Sequence, residues 1–174
     1  MNKALNVLAL VLVLFTGVFA QGFKVKATGE QIFNFEDKAG RNQTTFFSSM
    51  PVEDINGMAS GLSGSVTFDI KNFASTLKGK ITIVTASLKS GIALRDEHML
   101  SAGWLDAEKY PEITFTIKKV TNAKNEADNK IIAKIVGDYT MRGITKEVTA
   151  DAIITYLDEN EKTKMRTAGD LLGV

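Results

Sequence analysis

The sequence predicts an all-β protein, an antiparallel barrel of about eight or nine strands. Three observations predict it. Apolar residues recur at every second position in run after run, and clusters of Gly, Asn, Asp and Lys separate those runs. Helical character is confined to the N-terminal leader and to a short helical or loop insertion near residues 92–110. Strands at regular spacing with turn signals indicate a sandwich or a barrel, and hairpin-length, up-and-down connections favour the barrel. Eight strands enclose an interior that either fills with side chains or holds one small ligand.

The chain has 174 residues, which suits one domain. Residues 1–20 read as a signal peptide: Lys3 supplies the positive start, Ala4 to Phe15 is apolar apart from Asn6, and Val18 and Ala20 fit a small-x-small cleavage site. The apolar run is short for a membrane helix, which needs roughly 20 apolar residues. Cleavage after Ala20 is expected, leaving 21–174 as a periplasmic or secreted domain with no stable membrane span; a retained anchor is the alternative. There is no Cys to carry a lipid anchor or a disulfide, so packing and strand pairing must hold the exported domain together. One of the 21 basic residues leaves with the leader and the rest balance the 20 acidic ones, which argues against a nucleic-acid partner.

Along the mature chain, Phe23 to Ala27 alternates as a strand does. Gln31 to Phe35 and Thr44 to Ser48 are aromatic runs, with Asp37 to Asn42 between them as a hairpin turn. Gly57, Gly61 and Gly64 mark bends or bulges. Strands follow around Val66, Phe68 and Ile70, from Gly79 to Leu88, and from Ile113 to Lys118. Val120 to Lys130 reads as a polar loop. Ile131 to Met141 and Glu147 to Leu157 are long strands joined by a turn at Arg142–Lys146. Asp158 to Lys162 is a charged turn, and Met165 to Val174 begins a further strand.

The stretch from Ser90 to Lys118 collects the rare residues: the only His (His98), the only Trp (Trp104) and Pro111. Arg95-Asp96-Glu97-His98-Met99, the Trp104-Leu105-Asp106 segment, Tyr110-Pro111-Glu112-Ile113-Thr114-Phe115 and the later Gly137 to Lys146 turn resemble, in order and spacing, the signature of the YceI-like family. Arg142 stands where that family usually has His, and Met99 where it has Leu. The resemblance covers roughly Gly57 to Val174. It implies a lipocalin-like barrel that binds a long isoprenoid or other lipid in an elongated apolar channel, for transport, storage or stress protection. The family pattern usually continues with another strand past Val174, so the last strand is expected to be missing from this form. A homodimer is a compatible assembly.

A nucleophilic triad needs a Ser or Cys, a His and an orienting carboxylate; there is no Cys here and no nucleophile-elbow motif. Zinc usually takes three or four His, Cys or carboxylate ligands. No catalytic residue, metal or cofactor is therefore predicted, and Asp96, Glu97 and His98 are the one cluster from which a weak metal site could be built. The structural reading has His98 tying the island to backbone or to Asp96, Arg95 and Asp96 forming an ion pair and cap, and Trp104, Leu105 and Tyr110 packing on the barrel end. Pro111 holds Tyr110 extended and feeds the next strand. A charged gate at the barrel mouth is the functional alternative for Arg95 and Asp96. The channel candidates are Phe46, Val66, Phe68, Ile70, Ile83, Phe115, Ile117, Ile135 and Tyr139. A filled, ligand-free structural barrel is the competing reading.

Overall fold

The computed structural model describes residues 21–35, 37 and 42–158. In chain order its elements are β1 (Glu30–Asn34), β2 (Thr44–Ser49), β3 (Asp54–Ala59), β4 (Leu62–Asp69), α1 (Phe73–Thr76) and β5 (Lys78–Val84). They continue with β6 (Leu88–Lys89), α2 (Ala93–Leu100), β7 (Glu112–Ala127), β8 (Lys130–Met141) and β9 (Ile144–Thr155). Two antiparallel sheets result, one of order β1-β4-β5-β7-β8-β9 and one of order β2-β3-β6. This is the antiparallel, lipocalin-like architecture. The six-stranded sheet does not close: among the described residues β1 and β9 are its two edges.

The frame is the pair of long hairpins from β7 to β9. Arg142 (φ 51°) and Gly143 (φ 72°) both take left-handed backbone between Met141 and Ile144, the two-residue turn whose twist matches paired strands. The expected turn over Arg142–Lys146 is thus shorter, and Ile144 already belongs to β9. On the outer face Asp138 sits opposite Glu147, a pairing that would repel. Lys118 relieves it by bonding both, at 3.2 and 3.0 Å, and these bonds hold its pKa above the ordinary lysine value.

Four expectations are corrected. Gln31–Phe35 and Thr44–Ser48 are strands but not partners: β1 pairs with β4 and β2 with β3, in different sheets. Alternation fixes a residue's face and carries no information about its neighbour strand. Connectivity is likewise not simply up-and-down, because β2, β3 and β6 leave the main sheet. Phe23–Ala27 keeps the alternating burial of a strand but joins no ladder; it crosses the end of the main sheet as a strap, with the Phe23 and Lys24 amides bonding Ile70 and Asp128 carbonyls at 2.7 Å each. Finally, the expected loop Val120–Lys130 is mostly strand, because β7 runs to Ala127. Register shifts at Ile117/Lys119, Val120/Asn122 and Asn125/Ala127 break the period-two pattern by which a strand is recognised.

The expected strand Gly79–Leu88 ends at Thr85, which is 2% exposed. Its amide donates to the Pro111 carbonyl and its hydroxyl to the Tyr110 carbonyl, each at 2.8 Å. A 3-10 turn over Thr85–Ser87 then hands the chain from β5 to β6, from one sheet to the other. The leader, the turn residues 38–41 and the expected turn and strand beyond residue 158 lie outside the described residues.

Two clusters fill the ends of the fold. One gathers Phe23, Phe68, Ile70, Phe73, Leu77, Ile131, Ala133 and Ile135. The other gathers Ala59, Leu88 and Ile113, with Phe46, Ile83, Met99, Leu100, Leu105 and Tyr139 packed on it. The candidate site opens against the first of them.

Candidate functional site

Sheet register builds the site. Ile83 faces Ile113 in the second cluster, and the next inward pair along the same two strands is Ile81 with Phe115. Phe33 lies opposite Val66, Ile117 opposite Gly137 and Ile135 opposite Ala150. Gly137 clears room: a Cβ there would stand 2.6 Å from the Phe115 ring, so the glycine lets that ring lie against β8 instead of filling the interior. Ala150 is small for the same effect. What remains is a cavity of about 590 Å³.

Five of the predicted channel residues line it: Val66, Phe68, Phe115, Ile117 and Ile135. Four do not. Ile70, 0% exposed, is sealed inside the first cluster, one strand step beyond the cavity. Phe46, Ile83 and Tyr139 pack on the second cluster, where burial pushes the Tyr139 phenol pKa up. Phe46 also borders a separate depression of about 680 Å³ on the small sheet, with Thr45, Phe47, Asn56, Met58 and Lys89.

The lining residues missed from the sequence are Phe33, Phe35, Phe73, Leu77, Ile81 and the whole run from Ala150 to Leu157. The spacing of Phe33 and Phe35 carried the signal; Phe73 did not, because α1 is one short turn with no periodic pattern. Every residue from Ala150 to Leu157 borders the cavity, both parities alike. The cavity therefore reaches the free edge of β9 and not only its inner face. Across that gap Phe33 meets Tyr156 edge-on, 6.1 Å between ring centroids, and Asp158 accepts from the Lys26 and Ala27 amides at 3.4 and 3.3 Å. The one carboxylate in the lining, Asp151, is held by Lys134 at 2.6 Å. Burial, helped by the charge of Asp158, raises the Tyr156 phenol pKa. The lining thus presents hydrocarbon, aromatic faces and little charge.

The island near 92–110 is placed as an insertion with α2 at its centre, but its braces differ from the expected ones. Asp96, 7% exposed, accepts from both the amide and the hydroxyl of Ser90 at 2.6 Å. Those two bonds, ahead of the nearby Lys89 and Arg95 charges, lower its pKa against the opposing effect of burial. Arg95 pairs with Glu53 at 3.0 Å rather than with Asp96, tying α2 to the β2–β3 turn. The His98 ring is exposed; its main-chain carbonyl closes the helix by accepting from the Ser101 amide and hydroxyl at 3.1 and 2.6 Å. Trp104 is 65% exposed and plugs nothing. Leu105 packs on the second cluster, and Tyr110 lies against the hairpin tip, 2.8 Å from where a Gly143 Cβ would be. Arg142 fastens that tip by donating to the Ala102 carbonyl at 3.0 Å. Pro111, at the foot of β7, supplies the carbonyl that Thr85 uses. Among the described residues no three of His, Cys, Asp or Glu converge as metal ligands.

Sequence comparison gives this fold its family. The model of the YceI-like domain matches residues 35–170. The chain belongs to the YceI-like family. Protein YceI of Escherichia coli O157:H7 is 41% identical over 96 residues, 55% of this chain and 47% of that protein. A UPF0312 protein of Vibrio campbellii is 39% identical over 98 residues, 56% of this chain and 49% of that protein. The chain thus spans about half the length of the curated relatives it matches. Among solved structures, BcnA of Burkholderia cenocepacia superposes with a TM-score of 0.51 at 23% identity, over 68% of this chain and 69% of that one, a likeness of fold. A mutant YceI protein of Campylobacter jejuni gives a TM-score of 0.52 at 26% identity, over 73% and 71%.

Proposed function

We propose that this YceI-like chain is an exported binding protein, not an enzyme, that holds one long apolar chain, a polyisoprenoid or similar lipid, in the cavity beside its first core cluster. The observation that carries the reading is the cavity of about 590 Å³ lined by Phe33, Val66, Phe68, Phe115, Ile117 and Ile135. Its volume falls within the roughly 300–1,000 Å³ of small-molecule sites. A lining of this kind recognises its ligand by burial, worth about 0.8 kcal/mol per methylene, and ten such groups would offset much of the entropic cost of binding. The positive start, apolar run and small-x-small pattern of residues 1–20 support export to the periplasm or beyond.

Titration of delipidated protein with a fluorescent polyprenyl probe tests this. A single saturable site is expected, and Ala150→Phe, which puts a ring into the cavity from the edge strand, should weaken it by at least about tenfold, or 1.4 kcal/mol. Unsaturable uptake, or equal affinity in the folded variant, would place the ligand elsewhere.

A further inference from the structure

We infer that the strap carrying Phe23 is the floor of the cavity and sets the longest chain it accepts. The inference rests on reading the cavity as a site for an apolar chain. Three of the cavity's lining rings, Phe68, Phe73 and Tyr156, stand in contact with Phe23, at centroid distances of 5.8, 5.7 and 5.8 Å. Phe23 is 1% exposed and Phe73 0%. Aromatic rings at such burial have no free rotamer to retreat into, so this end stops a ligand rather than yielding to it.

The strap itself is fastened on both sides. Toward β4, the Phe23 amide bonds the Ile70 carbonyl at 2.7 Å, and Lys71 Nζ bonds the Val25 and Phe23 carbonyls at 2.7 and 3.3 Å. Toward the β7–β8 turn, Asn125 Nδ2 bonds the Gly22 carbonyl at 3.0 Å and the Lys24 amide bonds Asp128 at 2.7 Å. Gly22 allows the crossing, since a Cβ there would lie 2.0 Å from the Lys71 carbonyl oxygen. The floor presents the rings of Phe68, Phe73 and Tyr156. It therefore receives the hydrocarbon terminus of a chain and not a phosphate or carboxylate head.

The full chain, delipidated, is to be titrated with a homologous series of saturated fatty alcohols, alongside Phe23→Ala and Phe23→Leu. Wild-type affinity should rise up to about fourfold per methylene until a break in length, beyond which it rises no further. Phe23→Ala should move that break to longer alcohols by roughly two to four methylenes, since a vacated core site collapses only in part, and Phe23→Leu should move it less. Affinity for alcohols short of the break should stay within about twofold. An unmoved break in a variant with native near-UV circular dichroism overturns the inference while leaving the binding function standing. A wild-type chain that binds no alcohol of any length removes both. If Phe23→Ala does not fold, the Phe23→Leu break decides.

Discussion

At the scale of single residues, the island shows how poorly rarity predicts role. His98 and Trp104 draw the eye because each occurs once, yet both side chains face solvent. Asp96, one of many acidic residues, is the buried one among the described residues. Its two bonds from Ser90 depend on the charged carboxylate, and its pKa lies below the ordinary value. The sign follows. A carboxylate depressed on folding contributes its full stabilisation above the unfolded pKa of about 3.9 and loses it as pH falls through the lower folded value. Asp96→Asn should therefore lower the urea midpoint at pH 7, and the gap to wild type should shrink once the pH is below about 4. His98→Ala, a change at an exposed ring, should shift stability by no more than about 0.5 kcal/mol. A His98→Ala loss larger than that of Asp96→Asn would restore the histidine as the brace.

At the scale of elements, what was legible was face and what was hidden was partnership. The inward parity of β8 and β9 follows directly from Ile131, Ala133, Ile135 and from Ala150, Ala152, Ile154, and burial agrees with it. Strand pairing depends instead on contacts distant in sequence, such as Phe33 stacked on Phe68 at 5.1 Å. No local pattern shows these. Thr85 is a further case: within an alternating run it reads as one more strand residue, while its bonds to Tyr110 and Pro111 end β5 and start the second sheet. Thr85→Val keeps the shape and leaves the Tyr110 carbonyl without its donor. The expected cost is about 1–3 kcal/mol, seen as a lower urea midpoint at an unchanged slope. A midpoint equal to wild type would mean that the hydroxyl does not hold the hand-off between sheets.

At the scale of the molecule, the apolar residues divide into two packed clusters, and the cavity opens against the first of them. Five of nine channel candidates line the cavity because parity selects inward residues. It does not say how far along the barrel axis each one lies, so Ile70 and Ile83, inward like the others, end up in the packed clusters. The small residues Gly137 and Ala150 facing Phe115 and Ile135 are what leave the cavity open. Native mass spectrometry of the full chain, purified from its own host without detergent, tests this most directly. One long-chain, extractable lipid per protein chain is the expected result. Protein recovered empty in repeated preparations, and refusing added polyprenol while its near-UV circular dichroism stays native, would contradict it.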